Sequence, residues 1–338
     1  MNLIPILNKA VHQPLSEGEA YQAALALMTG DVPASQVGAL LGALRTRGES
    51  ALEILGFARA LREKASPFPL SPEGLVDTCG TGGDGLSTVN VSTLAALTVA
   101  ACGVRVAKHG NRAVSSRCGS ADLLEALGVK IDLSPALTAR SIQETGFGFL
   151  LAPLYHQTLR HVAPIRRELG FRSIFNLVGP LANPASVKRQ VVGVPSPAHL
   201  RPMAEALHLL GSEHAYVVHG DDGSDEVSLT GPTTVFEVRP NGLTAMTLHP
   251  GDAGLPTCRP ADLTGGDAAT NMDRAHRVLS GEPGPSFDFV VLNSALALMA
   301  AGQATSLREG ASKSREALVS GRSLSVLNAA RTLSQEAA

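Results

Sequence analysis

The stretch that decides the fold is Leu75-Val76-Asp77-Thr78-Cys79-Gly80-Thr81-Gly82-Gly83-Asp84-Gly85. Leu75-Val76-Asp77-Thr78 reads as a short strand, and the glycines that follow end it in a loop. A helical run over 92–101 comes next, then Gly103 and a second strand over 104–107. Strand, loop, helix, strand is a βαβ unit, which predicts parallel strands joined by a right-handed crossover. The expected class is therefore α/β with a mainly parallel central sheet.

Outward toward the N-terminus the pattern is helical. Ser16 with Glu19 and Ser50 with Glu53 both have capping-box spacing, and Gly30 and Gly48 close the runs they follow. Pro67 and Pro69 stop the last helix, so 66–74 reads as a linker and 1–70 as a helical subdomain. Toward the C-terminus a helix is expected over 121–127 and a short strand over 129–133. A strand over 215–219 runs into an acidic loop. Strands over 235–238 and 243–248 flank Pro240-Asn241-Gly242, a hairpin signal, and helices are expected over 288–301 and 307–318.

Composition narrows the function classes. The chain has 338 residues, 44% of them hydrophobic, enough for a large core and two domains. Net charge is −2, which provides no global field for a nucleic acid. Any anionic ligand must be held by local groups. Cys79, Cys102, Cys118 and Cys258 show neither C-x-x-C nor zinc spacing, and read as reduced thiols of a cytoplasmic protein. No signal peptide or membrane span is expected.

Four segments carry candidate chemistry. The first is the glycine-rich loop with Gly80, Gly83 and Asp84, continuing through Thr88, Asn90, Val91, Ser92 and Thr93. Bare glycines let backbone N–H groups converge on phosphate oxygens, and the following helix N-terminus adds positive potential. It has neither Walker A nor Rossmann spacing, and a merely structural turn is the competing reading. The second is Lys108-His109-Gly110-Asn111-Arg112, expected as a loop leaving the 104–107 strand, with Lys108 and Arg112 supplying positive charge. Ligands of open parallel sheets bind outside carboxyl strand ends, so the two loops should be neighbours. The third is Asp221 to Glu226, whose adjacent carboxylates suit a hard, oxygen-liking cation but, read alone, fit an ordinary acidic turn better. The fourth is Arg166, which fits a bidentate carboxylate clamp or a plain surface arginine. His156, His161 and His219 show no Ser–His–Asp logic.

Taken in order, these segments resemble anthranilate phosphoribosyltransferases. The motifs are the 77–85 loop, Lys108 to Ser116, Gly119-Ser120-Ala121-Asp122, Arg172 to Leu181, Gly220 to Glu226, Gly231-Pro232-Thr233 and Gly265 to Ala269. The resemblance spans essentially the whole chain. It implies a helical subdomain (1–70, joined by a helical segment near 162–182) beside an α/β domain (71–338), a homodimer through the helical subdomain, and a cleft active site. It implies phosphoribosyl pyrophosphate at the first loop, at Lys108, His109, Gly110, Asn111, Arg112, Ala113, Val114, Ser115 and Ser116, and at Ser120. It implies Mg²⁺ at Ser92, Asp225 and Glu226, and anthranilate at Arg166, Asn111 and Gly80. The implied activity is a step of tryptophan biosynthesis with no assigned acid or base. Val89, Cys118, Leu151 and Thr158 depart from the common pattern, the last two near the expected anthranilate entrance. The rival readings are a pyrimidine-nucleoside phosphorylase, whose Val-Gly-Asp-Lys continuation is missing here, and a nucleic-acid-binding relative of the same fold.

Overall fold

The computed structural model describes residues 3–113 and 117–336. Four helices open the chain: α1 (Ile4–His12), α2 (Glu17–Thr29), α3 (Ala34–Arg47) and α4 (Ala51–Lys64). Both expected capping boxes form, with Ser16 and Ser50 accepting from the amides of Glu19 and Glu53. Glu53 does more than cap. It is fully buried and also accepts from Leu15 N (2.9 Å) and pairs with Arg47, tying α4 to α3 and to the turn before α2.

A seven-stranded sheet follows: β1 (Leu75–Gly80), β2 (Arg105–Gly110), β3 (Phe147–Leu151), β4 (Arg189–Gly193), β5 (His214–Gly220), β6 (Thr233–Arg239) and β7 (Gly242–Leu248). The spatial order is β3-β2-β1-β4-β5-β6-β7. The first five are parallel, and β6 and β7 form the antiparallel hairpin expected around Pro240-Asn241. Strand order reverses beside β1, because the chain moves to β2 and β3 on one side and returns as β4 on the other. Such a switch point opens a crevice at the carboxyl ends of the strands.

One sheet face packs on helix α5 (Val91–Ala101) and the apolar helix Pro285–Ala300. The other carries Val192, Val194, Ala215, Val217 and Val238, which share a core with Leu200–Leu209 and the N-terminal helices. The helical bundle therefore seats against the sheet through helix Leu200–Leu209. Ala163–Leu169 and Ile174–Leu177 pack against α3, and the latter also against α4.

Two expectations are corrected. Residues 129–133 form no strand: Val129, Ile131 and Leu133 bury their side chains in an irregular segment, so the apolar alternation reports burial without a ladder partner. The 104–107 strand runs on to Gly110, so Lys108, His109 and Gly110 belong to a strand end and not to a loop.

At that end the sheet is wedged open. The β1–β2 pairing registers only Leu75 with Arg105 and Val76 with Val106. Beyond it the Asp77 carboxylate accepts His109 N (3.2 Å) and Asn183 Nδ2 (2.8 Å), and the same Asn183 amide donates to Ala107 O (2.8 Å). Asp77 and Asn183 are fully buried. Two side chains thus replace the missing ladder bonds and spread β1 from β2. Asp77→Ala would leave these donors short of an acceptor inside the protein, at about 1–3 kcal/mol for each group left unmet. Urea unfolding should show a loss of about 3 kcal/mol, and a loss below about 1 kcal/mol would mean that the wedge does not carry the strand ends.

Candidate active site

The carboxyl ends of β1, β2 and β4 open into a cleft of about 370 Å³. Its walls include the glycine-rich loop, the end of β2 and Asp225 with Glu226. Arg166, Arg172 and Phe175 on the bundle side complete it. Two other depressions, one beside Arg274 and Phe287 and one beside Thr145 and Asn328, include none of these residues.

The loop is placed by β4 and the acidic turn. Thr81 N donates to Gly193 O (2.9 Å), extending the β1–β4 ladder by one bond. Gly82 N donates to Asp225 Oδ2 (2.7 Å). A β-carbon at Gly80 would strike the Asp225 carboxylate, and one at Gly193 would coincide with the Asp225 carbonyl. These two glycines are there for close approach, so that the acidic turn can lie directly on the strand ends. Helix α5 starts at Val91 with no side-chain cap, because Asn90 is engaged elsewhere. Asn90 donates to Cys118 O (3.0 Å) and accepts from Asn271 (2.9 Å).

Lys108 is almost fully enclosed, at 2% exposure, beneath the loop. Its ammonium donates to Thr78 O (2.5 Å) and Ser92 Oγ (3.3 Å). Burial pulls its pKa down, while Asp77, Cys79 and Glu226 hold it up. His109 is a neutral imidazole, its pKa held down to about 3 by burial and then by His156. Nδ1 lies 3.1 Å from Gly179 O, which places the proton there and leaves Nε2 enclosed with no partner among the described residues. Thr81 Oγ1 and Thr93 Oγ1 are likewise enclosed and have no partner among the described residues. Unmet polar atoms are uncommon in protein interiors, and three on one cleft wall mark a place for a polar ligand.

The acidic segment divides into two parts. Asp222 is engaged locally, accepting from Ser228 Oγ (2.7 Å), Thr230 Oγ1 (2.7 Å) and Ser224 N (3.1 Å). Asp225 and Glu226 face the cleft. The Asp225 carboxyl is pushed up to about 7, first by burial and then by Asp84. Glu226 is raised well above the carboxylate range by burial and by Asp225, although the Ser92 amide bonds it. Carboxylates crowded this way favour a cation between them. Among the described residues no three His, Cys, Asp or Glu side chains form a complete metal cage. That donor set suits magnesium, which commonly takes one or two carboxylates and fills its shell with water and substrate phosphate.

Arg166 lies across the cleft with its guanidinium 5.4 Å from the centroid of the Phe175 ring, which itself packs edge-on to Phe57 of α4 at 5.5 Å. It has no acidic partner among the described residues, and burial lowers its pKa.

Most residues named from sequence meet at this cleft: Gly80, Gly83, Asp84, Thr88, Asn90, Ser92, Thr93, Lys108 to Ala113, Ser120, Arg166, Asp225 and Glu226. Val91 does not, being buried in the α5 core. Val114, Ser115 and Ser116 lie outside the described residues. Arg112 is not a free cation, since its exposed guanidinium pairs with Glu125 and Asp122. Asp122 also accepts from Ala113 N (2.9 Å) and Gly119 N (2.8 Å), pinning both flanks of that loop. Leu151 and Thr158 are one residue removed from the wall, which uses their neighbours Ala152 and Leu159. Sequence reading missed His156, Arg172, Phe175 and Pro180 as wall residues. The last three lie within the Arg172–Leu181 stretch singled out above, whose length was a signal without a role.

Comparison with known proteins agrees with this geometry. Residues 5–65 match the glycosyl transferase family's helical bundle domain, and residues 72–324 match its a/b domain. An anthranilate phosphoribosyltransferase of Rubrobacter xylanophilus is 52% identical over 319 residues, covering 94% of this chain and 93% of its own. The crystal structure of the Thermus thermophilus anthranilate phosphoribosyltransferase superposes with a TM-score of 0.92 at 47% identity, covering 97% of this chain and 99% of that one. The Saccharomyces cerevisiae enzyme in complex with PRPP and Mg gives 0.90 at 29%, covering 99% and 98%. With bundle, sheet and cleft matched over nearly the full length, the chain belongs to the anthranilate phosphoribosyltransferase family.

Proposed function

We propose that this cleft transfers the phosphoribosyl group of phosphoribosyl pyrophosphate to the amine of anthranilate, giving N-(5-phosphoribosyl)anthranilate and pyrophosphate in tryptophan biosynthesis. The observation that carries the reading is a single cleft with opposite chemistry at its two ends. One end has an anion-cradling loop over Lys108 and two crowded carboxylates. The other has Arg166, a half-buried cation with no acidic partner among the described residues.

The reaction is displacement of pyrophosphate from the anomeric carbon. The ring oxygen can share positive charge, so bond breaking runs ahead of bond making and the leaving group sets the barrier. Gly80, Gly83, Asp84, Thr88, Asn90, Ser92 and Thr93 position the substrate, with Lys108 to Ala113 and Ser120 beside them. Ser92, Asp225 and Glu226 would hold magnesium, which when bound neutralises charge growing on the pyrophosphate. Arg166 orients the acceptor by its carboxylate, with Asn111 and Gly80 near the ring. The attacking aryl amine is uncharged at neutral pH and becomes strongly acidic once it has attacked. A dedicated base is therefore not required, and none is assigned. Direct attack gives inversion, with no covalent intermediate.

Family membership favours this reaction over phosphorolysis of a nucleoside or binding of nucleic acid, and the charge of −2 agrees. Among the described residues no helix is long and apolar enough to cross a membrane. We further infer that residues 1–70, joined by 162–182, act as one domain against 71–338, and that the protein is a cytoplasmic homodimer. Ile4, Val11 and Leu52 are large apolar side chains left exposed on α1 and α4, which supports a partner on the bundle. Sedimentation at micromolar concentration should give twice the chain mass of 34.9 kDa, and a species of single mass would reject the dimer.

Mixing the protein with anthranilate, phosphoribosyl pyrophosphate and magnesium should quench anthranilate fluorescence in step with pyrophosphate release, and a chelator should stop both. Absence of quenching by folded protein would reject the activity. Asp225→Asn with Glu226→Gln should raise the magnesium needed for half-maximal rate, and an unaltered titration would remove the pair from the metal site. Arg166→Ala should weaken anthranilate binding by about 2–4 kcal/mol, the scale for losing one partner of a desolvated charge pair. Unchanged anthranilate affinity would show that the carboxylate is held elsewhere.

A further inference from the structure

Arg172 has no part in the reaction as derived, yet its guanidinium reaches the glycine-rich loop. Nη2 donates to Thr81 O (2.8 Å). Gly83 (φ +79°) turns a bare α-carbon toward the same guanidinium, and a β-carbon there would overlap it. Asp84 and Asp225 are near enough to attract the charge, while Arg45 of α3 repels it. The base of the side chain is anchored on the opposite wall. Ser173 N donates to Asn176 Oδ1 (3.0 Å), and Phe175 packs on Phe57 of the helical bundle.

We propose that Arg172 is a positioning residue for the phosphoribosyl pyrophosphate end of the cleft: it spans from the 170–178 segment to the glycine-rich loop and holds the loop in its anion-cradling shape. The inference rests on the phosphoribosyl reading of the cleft. A planar fork suits the task, because one N–H takes the Thr81 carbonyl while the flat face covers Gly83. A lysine ammonium supplies the donor but not the plane. The loop has few other fixed points. Thr81 N is held by β4 and Gly82 N by Asp225, whereas the Thr81 carbonyl is held from the bundle side by Arg172. Removing that tether leaves Gly82, Gly83 and Gly85, all at positive φ, with the bonds from Gly82 N to Asp225 (2.7 Å) and from Leu86 N to Asp84 Oδ1 (3.1 Å) to select the backbone shape. Arg166 lies on the same wall but stacks on Phe175, so the acceptor end keeps its anchor when Arg172 is changed.

The test is calorimetric binding of magnesium phosphoribosyl pyrophosphate and fluorimetric binding of anthranilate to full-length wild type, Arg172→Met and Arg172→Lys. Thermal midpoints are read alongside. Arg172→Met is expected to weaken phosphoribosyl pyrophosphate about 10-fold, the equivalent of one charge-assisted hydrogen bond, with anthranilate changed by less than about 2-fold. Arg172→Lys should recover part of the loss. The inference is overturned if phosphoribosyl pyrophosphate affinity stays within about 2-fold of wild type in Arg172→Met. It is also overturned if both ligands weaken equally together with a lowered midpoint, which is the signature of a general structural role. A folded wild type that binds no phosphoribosyl pyrophosphate overturns the functional reading itself, and this inference with it.

Discussion

Everything at the cleft depends on a buried carboxylate that stops two strands from pairing. Asp77 sits in β1 where a ladder residue belongs, and with Asn183 it takes over the hydrogen bonds of His109 and Ala107. A parallel ladder continued to Gly110 would close the end of the sheet. The wedge instead separates β1 from β2 and lets Lys108 point its ammonium under the glycine-rich loop, where Thr78 O and Ser92 Oγ hold it. Asp77 and Lys108 also steady each other, since each charge offsets part of the other's desolvation. The fold thus commits a fully buried carboxylate to spacing strands, and the opening follows from that spacing.

The same crowding explains how a protein of net charge −2 can attract a highly charged anion. Its field is local. Lys108 lies beneath the loop, the uncapped end of α5 follows it and Arg172 reaches it from the bundle side, with Asp84, Asp225 and Glu226 close to these cations. Without a cation the carboxylates would repel a pyrophosphate. The raised pKa values of Asp225 and Glu226 express that conflict, because burial and mutual repulsion both disfavour charge there. On the proposed reading a metal-bound pyrophosphate would suit both the cations and the carboxylates, and the acidic pair would favour the complex over the free anion.

Much of this was legible in the sequence, and the part that was not has physical causes. The βαβ unit around Gly80–Gly85 was legible because its glycines interrupt two strong periodicities, and Ser16–Glu19 and Ser50–Glu53 because capping boxes are local. β3 and β4 were not. Phe147–Leu151 is a wholly buried run of five residues, and Arg189–Gly193 carries Arg and Gln at its start, so neither shows the alternation of a half-exposed strand. Residues 129–133 show the alternation but have no neighbour to pair with. The loop, Lys108, Asp225, Glu226 and Arg166 could be named from strand-end logic and from family resemblance. Asp77 and Asn183 could not, because they lie 106 positions apart and act through each other. Arg112 shows the converse, a charge whose type was plain but whose partners, Glu125 and Asp122, only the fold reveals.

The placement of Arg166 and Arg172 on one short segment bears on how two substrates are brought together. Both guanidiniums leave the stretch that packs against α3 and α4, so the bundle side of the cleft supplies a contact to each end of the site. The chemistry asks for little beyond orientation: the amine is already a nucleophile, and His109 is held neutral with Nδ1 committed to Gly179. A reaction that needs no base puts its demands on distance and on charge at the leaving group. On the proposed reading, a fold that fixes one substrate on strand ends, and from a packed helical wall reaches the other substrate and the glycine-rich loop, meets those demands with backbone geometry. It needs few specialised side chains, and this is why the cleft shows ion-holding groups and almost no acid–base machinery.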